Sequence, residues 1–313
     1  MRIDLYTLKL FVAVMETKSL TRAAAREHIA ASAISKRISD LEAAFDLLLF
    51  ERRPTRLEPT RAAEVLLRHA NTIHRNVQQL EAEMSDLSEG ARGVVRIAAS
   101  IAVVTQYLPP QLRAFAALHP GVVIELTDTL SSKAVQLVVD GQADVGIFGD
   151  PFVAHGLRSL PYIVETLVAV LPPGHELLAQ PRLSFADMIP FDFVCLRSGS
   201  SLNTLLVAAA ERLGQSINRR VQVSGNEALC VMVEMGMGIG VLPAAWLESH
   251  PAFASLQIRP LDEPWARRRL HLCFNDDRHT LNMPTQLLVE HLRSRGEDDE
   301  SSARPGGEFR DAA

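Results

Sequence analysis

Ser32, Ala33, Ser35, Lys36 and Arg37 lie on one side of a segment whose other side carries Ile34, Ile38 and Leu41. The aliphatic residues are spaced four and three apart, which buries them on one helix face and turns short hydroxyls and two cations outward. Those outward groups suit the base edges and phosphates of a DNA groove. An ordinary helical hairpin with a solvated polar face would show the same pattern. Farther on, Arg52, Arg53 and Arg56 surround Pro54 between two short extended pieces. Arginines on such a hairpin would grip backbone phosphates, adding affinity more than sequence choice. A solvated basic loop is the alternative.

A second chemistry is written in serines. Ser100 ends the apolar run VVRIAAS and opens a helical stretch, and Ser198, Gly199, Ser200 and Ser201 do the same after FDFVCLR. Helix starts present free N–H donors and a partial positive charge, which attract carboxylate, sulfate or phosphate. In an open α/β sheet, ligands collect beyond the C-terminal ends of the strands. Ser100, Ile101, Thr129 and Gly149 from one half, with Ser198 to Ser201 and Asn226 from the other, therefore form a candidate site for a small anionic effector. Serines that only cap helices would leave the same trace.

Nothing comparable supports catalysis. Gly236, Gly238 and Gly240 leave a helix and enter a strand, the reverse of a dinucleotide-binding loop, so they read as a helix cap and close packing. The ten histidines form no HxxxH or HExxH grouping, and no GxSxG or P-loop occurs. Cys195, Cys230 and Cys273 are far apart and odd in number, without CxxC spacing. No metal site, disulfide framework or cofactor is expected, and the expected class is not an enzyme.

The elements that would position these groups are legible in periodicity. Residues 4–17 place Leu5, Leu8, Phe11, Val12 and Met15 on one helix face. Ser19 or Thr21 caps the next helix, Ile29 marks a turn, and a further helix begins near Ser32. With the hairpin at 51–60, residues 1–60 make a winged helix-turn-helix. Residues 61–89 then carry Leu66, Ala70, Ile73, Val77, Leu80, Met84 and Leu87 at alternating steps of four and three. That 3.5-residue period calls for a partner helix, with the same helix of a second copy expected and packing on the chain's own second domain as the alternative. At ~1.5 Å per residue the rod is roughly 40–45 Å long. Two recognition helices on one dimer could then reach half-sites on neighbouring turns of DNA. Glycines at 90 and 93 mark a hinge.

From residue 94 strands and helices alternate, which predicts α/β lobes built on parallel sheets. Two similar lobes, about 94–163 with 268–295 and about 164–267, would enclose a cleft, and a chain crossing twice between them makes a hinged clamp. Residues 296–313 hold six acids and two arginines among Gly, Ser and Pro, and are expected to be disordered. Charge is uneven. Residues 1–61 carry eleven Lys and Arg against eight Asp and Glu, a surplus of three, whereas the remainder carries 21 against 29, a deficit of eight. A basic head on an acidic body fits a modular DNA binder. The first residues alternate charge with apolar side chains, unlike a signal peptide, and no apolar run reaches the ~18 residues of a spanning helix, so a cytoplasmic location is expected.

Specific motifs add to this reading. Ser19-Leu20, Ala23-Ala24, Ala33-Ile34-Ser35-Lys36, Leu41-Glu42, Leu49-Phe50-Glu51-Arg52 and Thr60 fall in ungapped order. RIAAS, YLPPQLRAFAALHPGVVIELTD, DGQADVGI and MVEMGMGIGVLP follow. Over Tyr6 to Arg295 the chain resembles the LysR-type transcriptional regulators. Three positions depart from the pattern: Glu27 replaces a buried leucine, Ala31 a base-contacting glutamine, and Asp46 the glycine that ends the third helix. The resemblance implies an α+β protein with a winged helix-turn-helix, a linker helix and a two-lobed, periplasmic-binding-protein-like effector domain. It implies operator DNA, a small effector, RNA polymerase and further copies of the chain, as homodimer or homotetramer, as partners. A solute-binding protein or small-molecule sensor without a direct transcriptional role is the competing class.

Overall fold

The computed structural model describes residues 3–53, 56–89, 92–275 and 281–302. The side chains of Arg52, Arg53, Arg56 and Leu87, all named above, lie outside the described residues. The chain divides into two compact units, residues 1–93 with 139–142, and residues 94–138 with 143–313.

In the first unit, α1 (Leu5–Thr17) starts at Asp4, whose carboxylate accepts from the Thr7 amide at 2.7 Å. α2 (Leu20–Arg26) is capped by Ser19, and α3 (Ala31–Phe45) follows the turn. Leu10, Phe11, Val14, Ala23, Ile34, Ile38 and Leu41 close a common core. The hairpin β1 (Phe50–Arg53) and β2 (Arg56–Pro59) pairs antiparallel. Its entry is held by Glu42, whose Oε1 accepts from the amides of Leu49 at 2.8 Å and Phe50 at 3.2 Å. Thr60 secures the exit, donating from its hydroxyl to the Leu48 carbonyl at 2.7 Å. These bonds satisfy backbone groups that a tight strand entry would otherwise leave unpaired. α4 (Arg61–Glu89) continues from there without a break.

The heptad stripe on α4 is divided. Ala70 is buried in the chain's own core, and Leu66 packs partly against it. Ile73, Leu80 and Met84 stay 39%, 58% and 63% exposed. Val77 is half-buried.

The second unit runs β3 (Gly93–Ala99), α5 (Ile101–Gln106), α6 (Leu108–Leu118), β4 (Val122–Asp128), α7 (Ser131–Val139), β5 (Val145–Gly149) and β6 (Arg158–Leu171). It continues with α8 (Phe185–Met188), β7 (Asp192–Leu196), α9 (Ser201–Arg212), β8 (Asn218–Val223), α10 (Asn226–Glu234) and β9 (Gly240–Pro243). α11 (Ala244–Glu248), β10 (Gln257–Pro260), β11 (Arg267–Phe274) and α12 (Met283–Ser302) complete it. Seven strands form one sheet in the order β10-β6-β11-β5-β3-β4, with β9 also on β6.

β3 and β5 pair parallel, as the alternating rhythm predicts, and so do β7 and β8. The rest differs from a purely parallel expectation: β6 pairs antiparallel with β9, β10 and β11. The reason is connectivity. The first part of β6 pairs with β11 over the core of lobe one, and residues 167–171 pair with β9 and β10 over the core of lobe two. β6 and β11 are thus the two crossings between the lobes, and strands that carry the chain out and back run in opposite directions.

Two further boundaries need correction. The helical stretch expected after Ser100 divides at Tyr107 into α5 and α6, because Pro109 and Pro110 lack N–H groups and belong in a first turn. α12 extends through Ser302, into the segment expected to be disordered. Once a helix is nucleated, each added residue gains one hydrogen bond, and no proline intervenes before Pro305. Residues 303–313 lie outside the described residues.

The glycine triplet behaves as the packing argument requires. A Cβ on Gly238, at φ +146°, would stand 2.5 Å from the Asp192 carbonyl oxygen, and one on Gly240 would stand 2.6 Å from a Leu229 methyl.

Candidate functional site

On α3, Ser32, Ala33, Lys36 and Ser39 are exposed and Ser35 is half-buried, while Ile34, Ile38 and Leu41 face inward. The polar stripe is therefore presented as a surface. Arg37 is drawn back from it. Its Nη1 donates to Thr7 Oγ1 at 2.6 Å and lies 3.2 Å from Asp4 Oδ2, and its guanidinium sits 5.0 Å from the centre of the Tyr6 ring. Asp4's pKa is lowered, first by the Thr7 amide and hydroxyl it accepts from and then by Arg37. Arg37 thus braces α3 against α1.

The second site lies within the second unit, between its lobes. A cavity of about 60 Å³ is lined by Ser100, Ile101 and Thr129 from lobe one and by Ser200, Ser201 and Asn226 from lobe two. Of the residues singled out by sequence, Gly149, Ser198 and Gly199 do not line it. Gly149 lies behind Ser201: a Cβ there would stand 2.9 Å from the Ser201 hydroxyl. Gly199, at φ +89°, leaves space for Leu130, whose Cδ1 would be 2.9 Å from an added Cβ. The exposed Ser198 accepts from Gln222 Nε2 at 3.4 Å.

The serines differ in their hydrogen bonding. Ser200 caps α9, its hydroxyl accepting from the Asn203 amide at 3.1 Å. Ser100 holds the N-cap position of α5 but makes no side-chain cap bond. Ser201 is buried and accepts from Arg268 Nη1 at 3.2 Å. Asn226, only 7% exposed, has its Nδ2 without a hydrogen-bond partner.

Arg268 is the residue that sequence reasoning missed. It lines the cavity from β11 and pairs with Glu165 on β6, with Nε and Nη2 both 2.7 Å from Oε2. The side chains are 8% and 3% exposed. Tyr107 donates to the other oxygen of Glu165 at 3.0 Å. Burial, and then the Glu165 carboxylate, push the Tyr107 phenol up, so it remains a donor. A signal was present in Arg267-Arg268-Arg269. Strand alternation aims the middle arginine opposite to its neighbours, but it takes the pairing with β6 to show that the strand already begins at Arg267. Asp128 and Arg197, of opposite charge and both exposed, also line the cavity.

The three cysteines are buried, and burial raises their thiols to about 11 for Cys195 and about 12 for Cys230 and Cys273. They stay protonated and unreactive at neutral pH. Among the described residues no cluster of His, Cys, Asp and Glu could hold a metal ion, and no helix is long and apolar enough to cross a membrane.

Comparison with known proteins assigns the class. Residues 5–64 match the family described as bacterial regulatory helix-turn-helix protein, lysR family, and residues 88–297 match the LysR substrate binding domain. The chain belongs to the LysR family of DNA-binding transcriptional regulators. The regulatory protein NocR of Agrobacterium fabrum is 32% identical over 238 residues, covering 75% of this chain and 78% of that protein. The RuBisCO operon transcriptional regulator of Allochromatium vinosum is 28% identical, covering 79% and 82%. Among solved structures, a full-length OxyR variant from Pseudomonas aeruginosa superposes with a TM-score of 0.70 at 18% identity, covering 94% of each chain. Full-length CbnR in complex with its target DNA gives 0.64 at 20%, covering 93% of this chain and 99% of that one. At those identities the structures speak for the fold alone.

Proposed function

We propose that the protein binds operator DNA through α3 and the hairpin wing, associates through α4 as a homodimer or homotetramer, and changes its operator binding when a small anion occupies the cleft between the lobes. It works in the cytoplasm with RNA polymerase and catalyses no reaction. Ser32, Ala33, Ser35 and Lys36 meet the groove. Arg37 orients α3, and Arg52, Arg53 and Arg56 meet phosphates. Ser100, Thr129, Ser201 and Asn226 receive the effector.

One observation carries the effector half of this reading: the buried Asn226 amide, without a partner for its Nδ2, lines a cavity at the N-terminus of α10. A buried donor left unmade costs about 1–3 kcal/mol, and an acceptor arriving with a ligand removes that cost. A gel shift on DNA upstream of the gene, run across a salt series, tests the DNA half. Specific binding that falls steeply with salt while keeping its sequence preference is expected. Binding indifferent to both sequence and salt would overturn it. Loss of any anion response in Ser100→Ala with Ser201→Ala is expected for the effector half, and an unchanged response would overturn that.

A further inference from the structure

Inside a rim where the exposed Asp128 and Arg197 offset each other in charge, the more buried groups at the cleft are mostly donors. Ser201 Oγ accepts from Arg268, which leaves its own proton free to donate. Asn226 offers an unpartnered Nδ2 from a side chain that is 7% exposed. Ser200, Ser201 and Asn226 stand at the starts of α9 and α10, helices of 12 and 9 residues whose first amides lack intrahelical acceptors. Ser201 carries one proton and two lone pairs, and Arg268 occupies one of those lone pairs, which biases the hydroxyl toward donating. Arg268 is in turn fixed from outside the cavity by Glu165, and Glu165 by Tyr107. The chain of bonds runs from Tyr107 in lobe one, through both crossing strands, to Ser201 in lobe two.

We propose that Arg268 is a positioning residue that biases Ser201 toward donating into the cleft, so that the cleft favours compact oxyanions, carboxylates above all, over neutral ligands of the same shape. This deepens the effector reading above and rests on it. Glu165 neutralises the arginine, so the selectivity comes from oriented donors and not from a bare cation. A ligand group that could only donate would meet the Asn226 Nδ2 donor to donor and would find one remaining lone pair on Ser201. Because the relay spans both crossings, occupancy of the cleft also bears on the angle between the lobes.

The test uses the full-length chain, with acetate and sulfate as anionic probes and acetamide as the neutral isostere of acetate, followed by titration calorimetry. Wild type is expected to bind acetate and to bind acetamide at least about tenfold more weakly, the scale of one hydrogen bond to a charged group. Ser201→Ala should lower acetate affinity about tenfold. Glu165→Gln combined with Arg268→Met removes the relay without leaving a buried charge unpaired. It should fall part of the way to that level, and adding Ser201→Ala to it should cost less than the same change costs in wild type, because both changes act on one device. Arg268→Lys, which keeps the charge but loses the fork, should fall between and serves if the double variant does not fold.

Losses that multiply, or a relay variant that still prefers acetate as wild type does, would overturn the inference. So would a wild-type chain that binds neither anion. Operator binding by the same samples separates the two levels: a protein that shifts its operator but shows no role for Arg268 loses only this inference, and one that shifts no operator loses the reading beneath it.

Discussion

Glu27 stands where the LysR pattern carries a buried leucine, and its side chain is only 9% exposed. A carboxylate there needs compensation. Lys9 supplies it from α1, with Nζ 2.8 Å from Oε2, and Arg26 adds a longer contact at 3.7 Å. Lys9 itself is 55% exposed, so water screens part of the attraction and the pair is worth less than a fully buried one. Lys9→Ala should therefore cost about 1–2 kcal/mol in urea unfolding, below the ~3–5 kcal/mol of a deeply buried pair. Glu27→Leu should be neutral or stabilising, since the desolvation cost disappears with the charge. A destabilised Glu27→Leu would mean that the carboxylate has partners beyond these two. Asp46 is a second departure with a conformational cost. It ends α3 in the left-handed region at φ 54°, where an L side chain crowds its own backbone and glycine does not. Asp46→Gly should raise stability by about 0.5–1 kcal/mol in the same unfolding experiment, and a drop would show that the aspartate side chain compensates for the strain.

Among the elements, α4 shows how far a periodic pattern can be read. The heptad spacing identified the stripe, and the structure divides it: Ala70 is sealed by the chain's own winged domain, whereas Ile73, Leu80 and Met84 remain open. Periodicity reports that a face is apolar but not which neighbour covers it, and only part of this stripe is covered by the chain itself. Leu80→Lys should therefore leave the stability of the single chain within about 0.5 kcal/mol while weakening self-association, which sedimentation over a concentration series would resolve. Unchanged sedimentation would remove α4 as the dimer contact. The first three helices and the wing were legible because capping residues and turn chemistry are local signals, as with Ser19 at α2 and Glu42 at the wing entry. β6 was not legible in the same way. Its first half lies over one core and its second half over the other, so a continuous strand reads as the end of one lobe and the start of the next. The same blindness hid the best-supported part of the cleft. Ser100, Ser201 and Asn226 follow strands and open helices, and their positions could be reasoned out. Glu165 and Arg268 are 103 residues apart and meet only because two antiparallel strands cross the hinge together. Strand alternation marks Arg268 as inward-facing, but no local rule tells which cavity or partner it reaches.

At the scale of the whole molecule, the physics of regulation can be stated without specifying the path between the two units. If an anion in the cleft changes operator affinity by some factor, saturating operator must change anion affinity by the same factor, because both describe one coupling free energy. Coupling of this kind is typically about 1–3 kcal/mol, or roughly 5- to 150-fold. Calorimetry of the anion with and without operator duplex, set beside a gel-shift titration with and without the anion, should return matching ratios in the same direction. A ligand that binds the cleft tightly but equally in both conditions is a passenger, because equal affinity for two states shifts neither. Glu165→Gln with Arg268→Met offers the sharpest form of the comparison. If the hinge relay only orients Ser201, the variant binds the anion more weakly but keeps the coupling ratio. If the relay also sets the lobe angle, the ratio itself collapses toward one. The second outcome is expected, since the bonds join Tyr107 of lobe one to Ser201 of lobe two through both strands that carry the chain across.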